Sequence, residues 1–194
     1  MRIFTQLMMK RFHSAENYIP LTVVGSPTIT DGVVSGFSDS NYVQNNTLFT
    51  SLPTEGKIAF TFERQSSMNQ MLIINQISSL FPLRIRTLDR VLQFSWVDNT
   101  QTQNHRALNY SLVAGESYYV TFEFKNQKWE FNLYSANGTL LDSTISEETT
   151  VTTTINNLLR FGMYSSSSYW QGSIDFNNSY IVIDGTKYIF TIGA

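Results

Sequence analysis

An all-β chain folded as an antiparallel sandwich is the class this sequence predicts, and three observations predict it. The first is composition. Ser, Thr, Asn and Gln make up more than a third of the 194 residues, aromatic residues 14% and charged residues only 14%. Ser and Asn favour turns and caps, while Thr, Tyr and Phe suit a pleated surface, so the mix is poor for helices. The second is spacing: about a dozen short apolar stretches recur, roughly every 8–12 residues, as in sandwiches and jelly rolls. The third is punctuation, because turn dipeptides separate these stretches and no helical periodicity follows Pro20. Without crossover helices a parallel α/β fold is excluded.

The first twenty residues stand apart. Phe4, Leu7, Met8 and Phe12 fall close to one helical face, with Lys10 and Arg11 away from it. That spacing predicts a short amphipathic helix, marginal alone in water and in need of a surface to lie on. That surface is either its own domain or another subunit; residues 1–20, ended by Pro20, are read as an N-terminal docking arm for the second, and residues 21–194 as a single sandwich domain. Gln6, Lys10 and Arg11 interrupt any apolar run, so the start predicts no secretory signal.

Strands follow in order. Residues 22–24 end at the Gly25-Ser26-Pro27 turn, and Asp31-Gly32 turns residues 28–37 back on themselves. Residues 57–64 alternate, with Ile58, Phe60 and Phe62 on one face and Lys57, Thr61 and Glu63 on the other. Residues 71–77 are almost continuously apolar, as in a strand buried on both faces. Residues 83–87 and 91–97 flank Leu88-Asp89-Arg90 as a hairpin. Residues 118–125 place Tyr118, Val120, Phe122 and Phe124 on one face and Tyr119, Thr121 and Glu123 on the other. Asn126-Gln127 leads into residues 128–134, and Asn137-Gly138 marks the next hairpin before residues 140–146. A Thr-rich crossing leads to a strand at 159–164, a loop at Ser165 to Ser168, and residues 170–183 as a pair of strands or one long strand bent at Asn177-Asn178. Asp184-Gly185 turns into the last strand, 187–190.

Two stretches resemble a known family. One is Thr22-Val23-Val24-Gly25-Ser26-Pro27 with Asp31-Gly32-Val33-Val34-Ser35-Gly36-Phe37. The other is Arg160-Phe161-Gly162-Met163 followed by Trp170-Gln171-Gly172-Ser173-Ile174-Asp175 and Ser179-Tyr180-Ile181-Val182-Ile183-Asp184-Gly185. Both look like the opening and closing strands of concanavalin A-like, laminin G-like jelly rolls, and the closing phrase resembles those of bacteriophage virion proteins. The resemblance spans roughly residues 21–190 and rests on strand-packing motifs, so it implies fold more than activity. It implies a structural or adhesion subunit of the phage particle, in a head or tail fibre or decoration. The arm would dock it to other virion proteins, and it would form a homo-oligomer that meets host surface glycans. A free lectin-like module of a bacterial or secreted protein is the alternative.

The chemistry supports a binding role rather than catalysis. With no cysteine, disulfides, thiolate metal sites and a cysteine nucleophile are excluded. A net charge of −2 gives no global attraction to nucleic acid or anionic membrane, and no apolar run is long enough to span a bilayer. The Glu-x-Asp-x-x-Glu spacing of sandwich glycosidases is absent, which disfavours a hydrolase or lyase; Glu123 and Glu130 are expected on the solvent face. His13 and His105 fit no zinc spacing, and no Gly-x-Ser-x-Gly elbow occurs. Asp39, Asp98, Asp142 and Asp175 form no Asp-x-Asp-x-Asn run, so calcium has no assignable ligands and no cofactor is predicted. The Asn-x-Ser/Thr sequons at Asn45, Asn109, Asn137 and Asn177 are expected to be unmodified.

What remains is a sugar-binding surface, since rings flanked by small polar side chains suit the C–H faces and hydroxyls of saccharides. Tyr164, Ser166, Ser167, Tyr169 and Trp170, around the four-serine loop, are the expected ligand contacts. Trp96, Asp98, Asn99, Gln101, Gln103 and Asn104 form a second loop cluster, and for Trp96 and Trp170 a core position competes with a ligand role.

Overall fold

The structure is a computed structural model that describes residues 17–47, 55–65, 70–77, 80–149, 158–165 and 168–192. Its strands are β1 (Asn17–Val24), β2 (Thr28–Thr30), β3 (Val33–Ser35), β4 (Tyr42–Asn45), β5 (Gly56–Arg64), β6 (Met71–Ile77), β7 (Leu80–Leu88), β8 (Val91–Val97), β9 (Gln103–Ala107) and β10 (Ser117–Lys125). They continue as β11 (Lys128–Ser135), β12 (Leu140–Ile145), β13 (Leu159–Phe161), β14 (Met163–Ser165), β15 (Ser168–Tyr169), β16 (Gly172–Ile183) and β17 (Thr186–Ile192). No helix occurs among the described residues.

The strands run in the order β12-β11-β10-β5-β16-β17-β1-β4-β13-β6-β7-β8-β9, with β2 and β3 attached at β16. Two layers result, because β1 serves both. Its first half pairs in parallel with β17, and its second half pairs antiparallel with β4. This sheet-switching strand makes a corner of the sandwich. Phe94 on β8 meets Phe122 and Phe131, on β10 and β11, with ring centroids 4.9 and 4.8 Å apart. Phe161 on β13 likewise meets Phe176 and Phe190 at 5.1 and 5.3 Å. A continuous hydrophobic core, in which these rings pack among Ile, Leu and Val, therefore fills the space between the layers.

The turn residues act as their chemistry requires. Asp31-Gly32, Asp89-Arg90, Asn126-Gln127 and Asp184-Gly185 all have positive φ at both positions, the primed geometry that matches strand twist. Asn137-Gly138 does not: only Gly138 has positive φ, and the Gly138 amide donates to the Ser135 carbonyl at 2.9 Å within a longer loop. The strand expected at 159–164 breaks at Gly162, where φ is +84° and a Cβ would lie 2.2 Å from the Phe37 ring. Beyond the break, β14 and β15 form a separate ribbon against β6.

Of the segment expected to be an arm, residues 1–16 lie outside the described residues. Residues 17–20 are strand, with Ile19 only 5% exposed. Pro20 thus ends no helix here. It sits inside β1 opposite Thr191, and its carbonyl accepts the Asn45 side-chain amide at 2.9 Å.

Candidate functional site

Period-two alternation puts one set of β10 side chains in the core and the other on the outer face of its layer. Register then aligns the outward set with its neighbours. One row runs Tyr134, Tyr119, Thr61, Asp175 across β11, β10, β5 and β16. The next runs Asn132, Thr121, Ala59, Tyr180, Ile189, Tyr18, continuing onto β17 and β1. Ala59 and Thr121 point outward yet are 0% and 3% exposed, because larger neighbours close over them. Beside them runs a shallow trough walled by Tyr119 and Tyr180. The Tyr119 and Tyr134 rings lie 5.8 Å apart, and the Tyr119 and Tyr180 hydroxyls are 3.4 Å apart. The Lys187 ammonium stands 4.2 Å from the Tyr180 ring centroid, a cation held by the ring quadrupole. Burial, and then the hydrogen bond with Tyr180, pushes the Tyr119 phenol well above its usual range.

A bulge in β16 shapes one end of the trough. Asp175 pairs with Thr61 and Tyr180 with Ala59, so β16 advances five residues while β5 advances two. Phe176 dips into the core, Asn177 and Asn178 stand exposed, and the Ser179 hydroxyl donates to the Asp175 carbonyl. The Asp175 carboxylate accepts the Asn177 amide at 2.9 Å and the Asn178 side-chain amide at 3.1 Å, so its charge is turned into the bulge. The β2–β3 turn braces it: the Phe176 amide donates to the Gly32 carbonyl at 3.0 Å, and the Asn177 side-chain amide donates to the Asp31 carbonyl. A Cβ on Gly32 would collide with Asn177, which is why glycine is needed there. Two clefts adjoin at this point. One, about 300 Å³, is lined by Tyr119, Tyr180, Lys187 and the two asparagines. The other, about 600 Å³, is apolar, with Ile29, Phe176 and Ile189 in its wall. The arrangement offers ring faces for stacking, amides that both donate and accept, and one cation.

The residues expected from sequence to bind a ligand fare differently. Trp170 is a core residue. It is 1% exposed, its indole N–H donates to the Glu63 carbonyl at 3.0 Å, and its ring stands edge-on to Phe62 at 5.5 Å. It offers no free face, which corrects its expected role as a contact. Tyr169 is half-buried in β15 opposite Met163. Ser166, Ser167 and the Tyr164 side chain lie outside the described residues. In the second cluster Trp96 is 3% exposed and stacked on Phe94 at 5.3 Å. Asp98 there organises a turn. It accepts the Thr100 and Thr102 amides, both at 2.9 Å, with the Thr100 hydroxyl at 2.6 Å and the Asn104 side-chain amide at 2.9 Å. These bonds, the Thr100 hydroxyl foremost, hold its carboxyl down at about 2.

Glu123 and Glu130 face each other across β10 and β11, but they are occupied. Glu123 pairs with Lys57 at 3.3 Å, and Glu130 accepts the Asn132 side-chain amide at 2.6 Å. Among the described residues no three His, Asp or Glu side chains converge as a metal site would require. Sequence reading missed Tyr134, Tyr180 and Lys187. The signal lay in the parity of Tyr119: a tyrosine on the solvent side of a strand asks what its cross-strand neighbours are, and only the register answers.

No protein-family model matches the chain, and no curated protein matches it. Solved structures do. The LG1-3 region of the laminin α2 chain is 14% identical, with a TM-score of 0.62 over 85% of this chain and 33% of that one. Domains LG4-5 of mouse laminin α1 are 13% identical, at 0.60 over 91% and 47%. The binding domain of botulinum neurotoxin DC, solved in complex with SialylT, is 16% identical, at 0.60 over 83% and 42%. The chain spans less than half the length of each. At these identities the likeness is one of fold: the chain is a laminin G-like, concanavalin A-like jelly roll.

Proposed function

We propose that this chain is a non-catalytic glycan-binding module of a bacteriophage virion protein, in a head or tail fibre or decoration subunit. The observation that carries the binding role is the trough in which Tyr119, Tyr180 and Lys187 stand beside the Asn177-Asn178 bulge. Half-buried rings present stacking area at low entropic cost, and the amides adapt to sugar hydroxyls. A botulinum neurotoxin binding domain of the same fold was solved with SialylT, which supports saccharide recognition as a use of this architecture. A shallow trough binds weakly per copy, so display as a homo-oligomer on the particle would supply avidity. The segment before β1 would dock the jelly roll to other virion proteins.

Binding of purified protein to host cell-wall polysaccharide tests the reading. Wild type should be retained and Tyr180→Ala should not, and neither should release oligosaccharide. Equal retention of the two, or product release by wild type, would overturn it. A tagged chain that is recovered free, and not in purified particles, would favour the lectin-like alternative over the virion role.

A further inference from the structure

The inward face of β5 ends on a charge. Arg64 follows Phe60 and Phe62 on that face and is 1% exposed. Only its Nη1 has an acceptor, the Leu112 carbonyl at 3.1 Å, while Nε and Nη2 are buried without a hydrogen-bond partner. Neither ion pair found among the described residues, Lys57–Glu123 and Lys128–Glu148, involves it. The neighbouring Tyr118 cannot supply a negative charge at neutral pH, because burial raises its phenol further. Burial and the charge of Arg90 also bear down on the guanidinium itself. An unpaired buried ion is costly, and each unmet charged donor adds to that cost.

The chain closes over this group. Residues 108–116 form no strand but are pinned along their length, with the Asn109 and Tyr110 amides donating to the Asp142 carboxylate at 2.6 and 2.8 Å. The Leu108 amide donates to the Leu92 carbonyl at 2.9 Å, and the Leu112 amide to that of Arg90 at 2.9 Å. The Gly115 amide donates to the carbonyl of Arg64 itself at 2.7 Å, and the Val113 amide to the Tyr118 hydroxyl at 2.8 Å.

The two free donors decide the ligand class. Nε–H and Nη2–H lie along one edge of the planar guanidinium, a fork that matches the two oxygens of a carboxylate. We infer that Arg64 is the receptor for a carboxylate held beneath the 108–116 strap, a site separate from the tyrosine trough. The bidentate pair neutralises the buried charge and fills both donors, and the strap carbonyl of Leu112 holds the third nitrogen in place. The carboxylate can come from a small free acid or from an acidic sugar; both present the same group.

Thermal unfolding of the full chain at neutral pH and fixed ionic strength tests this, with sodium acetate, glucuronate or chloride added. Wild type should rise by a few degrees and saturate with acetate, because a ligand that binds only the folded state stabilises by mass action. Chloride should do less. Arg64→Met should lose the response, and Arg64→Lys, a point charge without the fork, should keep only part of it. A response to acetate alone identifies a small structural anion, and a response to glucuronate as well identifies a site open to sugar acids. An unresponsive wild type, or an equal rise in Arg64→Met, overturns the inference. Should Arg64→Met fail to fold, the Arg64 Nε–H resonance of wild type must shift as acetate is added, and its failure to move overturns the inference equally.

Discussion

Strand β16 and the residues just before it carry two aromatic regions of opposite character. Before the strand, Trp170 is sealed at 1% exposure, its N–H spent on a backbone carbonyl and its edge on Phe62. Past the bulge, Tyr180 is half-buried, its hydroxyl beside that of Tyr119 and its face under Lys187. Both regions combine rings with small polar residues, which in sequence is the same signature. The difference is which side of the sheet each ring stands on. Tyr118 and Tyr119 make the point within two residues: Tyr118 is 2% exposed on the core face, and Tyr119 lines the trough. Aromatic content nominates a region, but strand parity and register decide whether its rings hold the core or meet a ligand.

The sharpest way to break this contrast is to truncate both rings. Trp170→Ala should destabilise the fold by about 3–5 kcal/mol, the usual cost of emptying a large buried aromatic site. Urea unfolding would read it as a lower midpoint at unchanged slope. A loss under about 1 kcal/mol would mean that the ring is not the keystone its burial implies. Tyr180→Ala should do the reverse, with little change in midpoint and a loss of polysaccharide affinity of about tenfold, equivalent to ~1.4 kcal/mol. If Tyr180→Ala unfolds the protein while binding per folded molecule is kept, the two regions have been assigned the wrong way round.

How much of this was legible beforehand follows from the range of each interaction. Strands with strict alternation, such as β5 and β10, could be read from the sequence, because period two is a local property. The bend at Asn177-Asn178 was legible as well, and it is the bulge that shapes the trough. Pro20 misled, since a proline that ends a helix and one tolerated in a strand have the same local appearance. The trough could not be read at all. It joins Tyr119 to Tyr180 across 61 residues of chain, and the pairing of β10 with β5 and of β5 with β16 alone brings them together. Arg64 was hidden for a related reason: it closes an alternating strand, where a charge is expected to reach solvent, until the 108–116 strap covers it.

A smaller effect is expected from Tyr169→Ala. Tyr169 is the one residue of the serine-loop cluster described with a partly open ring, and it lies on the short β14–β15 ribbon. Its loss should weaken polysaccharide binding by less than Tyr180→Ala does, with the midpoint of unfolding within about 0.5 kcal/mol of wild type. A larger loss of binding than in Tyr180→Ala would move the principal contact from the trough to the ribbon. Lys187→Gln belongs between the two, since it removes a charge but leaves the Tyr180 ring in place.

The subtlest test leaves neutral-pH behaviour untouched and reads the Tyr119–Tyr180 contact by titration. Burial and the shared hydrogen bond both favour the neutral phenol of Tyr119, so its folded pKa lies above the unfolded value of about 10. The sign follows from linkage: the stabilising contribution is complete below about pH 10 and is lost as pH rises through the folded value, where the unfolded chain releases the proton first. Phenolate absorbance should therefore rise in a first wave to which Tyr119 does not contribute, with Tyr119 ionising only at higher pH or once the fold opens. Tyr119→Phe should leave the first wave of the titration unchanged and remove amplitude from the late one. Tyr180→Phe should draw part of the late amplitude earlier, because it takes away the hydroxyl partner and keeps the ring. If Tyr119→Phe instead removes a phenol from the first wave, Tyr119 is open to water, and the trough wall it forms with Tyr180 is not closed in solution.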